Sequence, residues 1–308
     1  MTCKNGWLAA GLAIGAGALS FALVRRHLRV QAEGLAWQKQ RHPALDVLAC
    51  PDCHGTLTSV SLVSGDGYHC STCQKDYPVV GGIPHFIQLN KLTGWNKRFA
   101  AMYNWFSWGY RAFSKIAFAY IGMSEEEARR EITDRLEPKG GRLLEVSIGP
   151  GVNLPYLVRR PDVGEIFGLD ISPGQLSRCR EYIAHQGWDT QLQLGNAEQL
   201  PYLDNSFDSI FHIGGINFFN DKKRAIVEMI RVAKPGTRIL ICDENEKGAR
   251  AYERILPSFK QTAGKQRPAV VPPLDLLPPE MQEVRLLEVW KGWMYCIEFR
   301  KPGGKEAA

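Results

Sequence analysis

From residue 141 to residue 242, short apolar runs alternate with helix-forming stretches, and this alternation constrains the fold more than any other feature of the chain. Residues 142–147, 165–169, 190–194, 207–213 and 238–242 read as buried strands. Between them, Ser172-Pro173-Gly174 opens a helix, with serine as its cap and proline at its first position. Residues 222–232 form a further amphipathic helix. Strands and helices in this order pack as a parallel, doubly wound α/β sheet.

Ligands of such sheets bind beyond the carboxyl ends of the strands, where the strand order reverses. Here those ends carry residues 145–151, Asp170, Asn196-Ala197 and residues 212–217. The turn Glu-Val-Ser-Ile-Gly-Pro-Gly at 145–151 is not the GxGxxG of dinucleotide-binding folds. The signal lies in the ordered set of four strand ends.

Two CxxC pairs, Cys50/Cys53 and Cys70/Cys73, stand sixteen residues apart. Each pair presents two thiolates to one metal, and two facing turns complete a tetrahedral site with no open position, so the expected role is structural. Neither pair sits between a strand and a helix, which argues against a redox motif. The intervening residues 56–60 and 68–69 suit short ribbon strands. Cys242 and Cys296 fall in apolar runs and read as buried thiols.

Residues 95–121 are almost free of helix breakers. Phe99, Tyr103, Phe106, Tyr110, Phe113, Ala117 and Tyr120 recur at spacings of four and three, on one face of a single predicted helix. That face either packs on the next domain or lines a pocket for an apolar molecule. Ser124 with Glu127 three residues on is a capping box for the next helix.

Residues 6–24 hold no charge, and as a helix they would span roughly 28 Å, about the hydrocarbon thickness of a bilayer. Arg25, Arg26 and Arg29 follow at once. The basic cluster on that side reads as a single-pass anchor with the bulk of the chain in the cytosol, an organellar membrane being the alternative. A signal peptide would place the basic cluster first. Gly11 and Gly15 form a GxxxG pair, a candidate surface for self-association of the anchor. The chain carries +6 overall, but residues 1–44 hold six bases against one acid. The rest is therefore near neutral, which argues against a nucleic-acid partner.

Two resemblances follow from these motifs. CPDCHGTL, CSTC and DYPVVGGIPHFI, over residues 48–89, resemble the zinc-ribbon domain of the activator subunit of tRNA and protein methyltransferases, which implies scaffolding around a structural Zn2+. LLEVSIGPGVNLPYL (143–157), GLDIS (168–172), GNAEQLPYLDNSFDSIF (195–211) and RVAKPGTRILI (231–241) resemble the class I S-adenosylmethionine-dependent methyltransferases of the type 11 group, over about residues 95–300.

The second resemblance implies roles residue by residue. Glu145 would hold the methionine end of S-adenosyl-L-methionine, and Gly149 and Gly151 would let the backbone approach it. Ser147 stands where the group's first glycine would be. Asp170, with Ile171 after it, would bind the ribose hydroxyls. Asn196, in place of the usual aspartate, and Ala197 would face the adenine. Residues 284–290 and 294–300 would be the antiparallel hairpin that closes the group's sheet. The proline-rich stretch 256–279 would be an irregular cover over the pocket mouth.

The expected organisation is an anchor with basic flank (1–30), a linker (31–44), a zinc ribbon (45–90), an aromatic helical cap (91–137), a Rossmann-like methyltransferase domain (138–302) and a disordered tail (303–308). The expected function is methylation of a lipophilic small molecule, a quinol precursor or related lipid. The alternatives are an RNA-base methyltransferase that handles RNA with its ribbon and a scaffold without catalysis. Candidates for a catalytic base are His212, Asp243 and Glu244.

Overall fold

The structure, a computed structural model, describes residues 45–255 and 269–303. The expected anchor at 6–24, its basic flank, the linker and residues 304–308 lie outside the described residues. Among the described residues, no helix is long and apolar enough to cross a membrane.

Seven strands form the main sheet. Strands β5 (Leu143–Val146), β6 (Ile166–Asp170), β7 (Gln191–Leu194), β8 (Ser209–Ile213) and β9 (Arg238–Glu244) run parallel. Strands β10 (Gln282–Val289) and β11 (Met294–Arg300) form an antiparallel hairpin whose second strand pairs with β9. The order is β7-β6-β5-β8-β9-β11-β10. The chain builds outward from β5 to β7, then returns to β5's other side with β8. The reversal opens a crevice above the carboxyl ends of β5 and β8. Strands β5 and β6 are buried at every position, as required of a sheet covered on both faces. Cys242 and Cys296 pair across β9 and β11 as buried free thiols.

Strands β1 (Thr58–Leu62), β2 (Gly65–Cys70), β3 (Lys75–Val80) and β4 (Ile83–Pro84) form a separate antiparallel ribbon in sequence order. This ribbon covers the open edge of the main sheet. His85 pairs in parallel with Leu194 at the end of β7, and the Phe86 N–H donates to the Leu194 carbonyl at 2.8 Å. Beside it, the Ala49 N–H donates to Pro201 O and the Leu203 N–H to Val47 O. Leu48, Tyr68, Tyr77 and Phe86 share one buried cluster with Phe167, Tyr202 and Phe207. An edge strand with unpaired backbone groups is thereby closed, and the ribbon's core is continuous with that of the large domain.

Seven α-helices complete the described fold: α1 (Gly94–Phe106), α2 (Tyr110–Tyr120), α3 (Glu125–Thr133), the single turn α4 (Leu154–Leu157), α5 (Pro173–Gln186), α6 (Lys222–Val232) and α7 (Glu246–Ile255). The single helix expected over 95–121 is two, α1 and α2. The Ser107 hydroxyl donates to the Asn104 carbonyl at 3.0 Å, and Gly109 follows. Serine back-bonding and the low helix propensity of glycine together break the run. The expected serine cap of the next helix forms, with the Ser124 hydroxyl accepting from the Glu127 N–H.

The proline-rich stretch also differs from expectation in its described part. Leu274, Leu276 and Leu277 pack against the main core. None of residues 269–279 lines either of the cavities below. Apolar side chains in this stretch gain more from the core than from a solvent-facing mouth.

Candidate active site and candidate metal centre

The crevice at the strand reversal holds a cavity with an empty volume of about 1050 Å³. Its floor comes from the strand ends: Ser147 and Gly149 after β5, Asp170 and Ile171 at β6, and Asn196 and Ala197 after β7. Its roof is the helical cap, through Phe99, Met102, Tyr103 and Phe106 of α1. The cap is tied to the floor. The Gly174 N–H at the start of α5 donates to Asn104 Oδ1 (2.8 Å), and Arg111 donates to the Pro150 carbonyl (2.8 Å) while stacking on Tyr182.

Asp170 is fixed by the turn that follows β5. One oxygen accepts from the Gly149 N–H and the other from the Ser172 N–H, each at 2.8 Å. Burial pushes its carboxyl up to about 6, against the opposing pull of those backbone donors. Gly149 has φ +56°, and no protein atom stands within 4 Å of where a Cβ would be. The space above it is open to the cavity. Ser147 holds φ +63°, a left-handed conformation that serine adopts at some cost.

Two expected site residues lie behind the cavity wall. Gly151 is not on the wall, and a Cβ there would come within 2.8 Å of Cys179 Sγ and Leu154 Cδ1. It is a packing glycine. Glu145 is also off the wall and only 1% exposed. Its Oε1 accepts from Asn153 Nδ2 at 2.6 Å, while Oε2 has no hydrogen-bond partner among the described residues. Burial pushes Glu145 up to about 8. Asn196 lies on the wall, but its Oδ1 already accepts from the Glu198 N–H at 3.0 Å.

The three candidate bases occupy different environments. His212 is fully buried, with Nδ1 3.0 Å from the Val146 carbonyl and Nε2 accepting from the Ile216 N–H at 3.0 Å. Both ring nitrogens are engaged in holding the β8 turn. Asp243 is equally buried and accepts from the backbone N–H groups of Asn217 and Glu244. Only Glu244 reaches the cavity. Burial, then the adjacent Asp243 carboxylate, push it well above the usual carboxylate range.

Glu244 also lines a second cavity, of about 730 Å³, that adjoins the first. Tyr110, Phe113, Gly214 and Tyr252 border both. Tyr252 belongs to α7, which carries no pattern that a sequence reading could assign to a site. Its role comes from packing against the cap, where its ring lies 5.5 Å from that of Phe113.

In the ribbon, the ligand atoms of Cys50, Cys53, Cys70 and Cys73 all lie within 4.8 Å of one another, and all four cysteines are free. The Cys53 and Cys70 sulfurs are 3.6 Å apart, close to the edge of a tetrahedron with metal–sulfur bonds of about 2.3 Å. His54 and Gln74, each following a CxxC, both adopt φ above +50°, so the two knuckles end alike. Without a cation the thiols crowd one another: hydrogen bonding to Cys53, then burial, push Cys73 up to about 12. A divalent cation reverses that logic by holding the thiolate form.

The raised carboxyls make a stability prediction. The folded values of Glu145 and Asp170, about 8 and about 6, stand above ordinary values of 4.5 and 3.8. The folded state therefore binds protons that the unfolded chain releases. The stabilisation is complete below about pH 4 and is lost as pH rises through 6 to 8. Thermal melts of the ligand-free protein should show Tm falling over that range, and Glu145→Gln should flatten the upper part of the curve. A Tm that rises from about pH 6 to 8 in the wild type would contradict the assignment.

Comparison with known proteins finds similarity to methyltransferases. Residues 144–241 match the family model described as a methyltransferase domain. Phosphatidylethanolamine N-methyltransferase of Cereibacter sphaeroides is 29% identical over 160 residues, covering 50% of this chain and 77% of that protein. A ubiquinone/menaquinone biosynthesis C-methyltransferase of Geobacter sulfurreducens is 32% identical over 120 residues, covering 38% of this chain and 47% of that protein, about half its length. Among solved structures, a SAM-dependent methyltransferase from Aquifex aeolicus is similar at 19% identity and a TM-score of 0.42, over 56% of this chain and 89% of that one.

Proposed function

Because residues 144–241 match a methyltransferase domain and the chain is an S-adenosylmethionine-dependent methyltransferase, we propose that it methylates a lipophilic small molecule, a quinol precursor or related lipid, taken from a membrane. The observation that carries this reading is the second cavity. It shares Glu244 and Tyr252 with the cofactor-sized first cavity, and aromatic side chains of the cap and of the β10–β11 turn build its walls. The relatives named above for phosphatidylethanolamine and for ubiquinone/menaquinone biosynthesis are in keeping with a lipophilic acceptor.

The residues present fit the cofactor. Gly149 leaves open the space a Cβ would fill and Asp170 offers fixed carboxylate oxygens for ribose hydroxyls, while Glu145 stands behind the wall and supports the turn through Asn153. When bound, S-adenosylmethionine supplies an activated methyl group. The chain's own part is alignment and exclusion of water, which can account for much of the acceleration of such a displacement. Glu244, at the junction of the cavities, is the one candidate base placed to hold a proton near an acceptor.

The ribbon cysteines are assigned to a structural Zn2+, and residues 6–24 to a membrane anchor with the body on its cytosolic side. The cap's outer surface supports contact with lipid. Trp105 and Trp108 are 66% and 71% exposed, Ile116 is also exposed, and no acidic residue occurs from 91 to 123. Exposed tryptophan beside basic residues suits a membrane–water interface.

Deletion of residues 1–30 tests the proposal. Affinity for S-adenosylhomocysteine should be unchanged, whereas turnover of a quinol presented in vesicles should fall by about tenfold or more, since the loss of local concentration is not replaced by new contacts. Equal turnover by both forms, or methylation of RNA in preference to the quinol, would refute it.

A further inference from the structure

The second cavity contains one charge that the methyltransferase reading does not use. Arg129, from α3, lines it yet is only 3% exposed. Its Nη2 donates to the Ser114 hydroxyl at 3.2 Å and lies 3.6 Å from Glu125, while its Nε has no hydrogen-bond partner among the described residues. A buried guanidinium nitrogen without an acceptor is costly, and charged donors of this kind are normally paired.

Three of the surrounding aromatic rings already carry the protein's own cations. The Arg129 guanidinium lies 5.1 Å from the Phe118 ring and 5.3 Å from the Trp290 ring. Lys247 Nζ lies 4.2 Å from the Trp293 ring. An aromatic box usually favours ammonium groups, but here a further cation would be repelled by Arg129. The acids nearby do not reverse this. Glu125 already sits against Arg129 and Ser114 and is not on the cavity wall, and burial, then the Asp243 carboxylate, hold the Glu244 carboxyl well above the usual carboxylate range, which disfavours its charged form. The cavity therefore offers flat aromatic walls, one under-coordinated cation and the carboxyl group of Glu244.

We propose that Arg129 is the specificity-determining residue of the acceptor cavity, selecting an aromatic acceptor that carries an acidic oxygen and rejecting one with an ammonium head. The inference rests on the reading of this cavity as the acceptor site. It separates the chain from amine methylation, an outcome that the overall similarity leaves open.

The test uses two soluble probes built on the same naphthalene ring, so that it does not depend on membrane delivery. 1-Hydroxy-2-naphthoate and 1-naphthylmethylamine are titrated by calorimetry into the full-length protein saturated with S-adenosylhomocysteine. The naphthoate should bind at least about tenfold more tightly than the amine, and Arg129→Gln should remove about tenfold or more of that affinity, the range for a lost charge-assisted hydrogen bond. Arg129→Lys, which keeps the charge but not the fork, should fall between. S-adenosylhomocysteine affinity should stay within about threefold in both variants, because Arg129 is not on the wall of the first cavity. If Arg129→Gln does not fold, Arg129→Lys and the two-probe ratio in the wild type decide. Tighter binding of the amine, or naphthoate affinity indifferent to Arg129, would overturn the inference. Binding of neither naphthalene while S-adenosylhomocysteine still binds would overturn it too, yet leave the methyltransferase domain standing. Failure of S-adenosylhomocysteine itself to bind would instead remove the premise of both.

Discussion

Cys50→Ser should cost the protein most of its folded yield, with the molecules that do fold keeping much of their activity. Cys50 is fully buried, and its sulfur lies 3.1 Å from the Tyr77 hydroxyl inside the cluster that joins ribbon to sheet. A structural zinc contributes on the order of 10 kcal/mol or more to the folding of small metal modules. Losing one ligand would therefore release the ribbon. That loss spreads, because Leu48 and Phe86 pack in the same core as Phe167 and Tyr202, and β7 would regain an open edge. Metal analysis of the purified wild type should return about one equivalent of zinc per chain. A metal-free protein that melts at the same temperature, with four freely reactive thiols, would dismiss the metal centre.

At the cofactor site, Gly149→Val is expected to abolish measurable S-adenosylhomocysteine binding while leaving the fold intact. Two effects act together. A branched side chain at φ +56° is strained, and its methyl groups would fill the space above the turn, where no protein atom lies within 4 Å. Asp170→Ala should weaken binding by about 1.5–3 kcal/mol, the scale of lost hydrogen bonds to a charged group. It also leaves the Gly149 and Ser172 N–H groups without their acceptor, so part of the loss would come from a loosened turn. Calorimetric titration separates the two variants from the wild type. Unchanged affinity in both would mean that the cofactor binds elsewhere.

The chain dictates its sheet locally. Runs such as Leu-Leu-Glu-Val and Ile-Phe-Gly-Leu-Asp are buried on both faces, so they carry a strand signal that needs no knowledge of their partners. Strand ends are equally local, and Asp170, Gly149 and Asn196 are legible for that reason. The CxxC spacing likewise fixes which thiols meet, because each turn is a short-range event. Helix breaks are less legible: an aromatic periodicity runs straight through Ser107 and Gly109, and only the competing hydrogen bond decides the division into α1 and α2.

Tertiary structure alone decided what depends on residues far apart in sequence. No local pattern distinguishes Gly149, open to a ligand, from Gly151, pressed against Cys179 and Leu154. None distinguishes His212, with both nitrogens engaged, from Glu244, which faces two cavities. Arg129 sits in a capping-box helix with an acidic first turn and reads there as an ordinary surface base. It is buried between Phe118 of α2 and Trp290, 161 positions away, which donates its indole N–H to the Ala128 carbonyl and brings the β10–β11 turn over it. Burial is a property of the assembled neighbours. Local sequence set the strands, their ends and the cysteine knuckles, whereas long-range packing chose which of the polar residues were desolvated, paired or left facing the cavities.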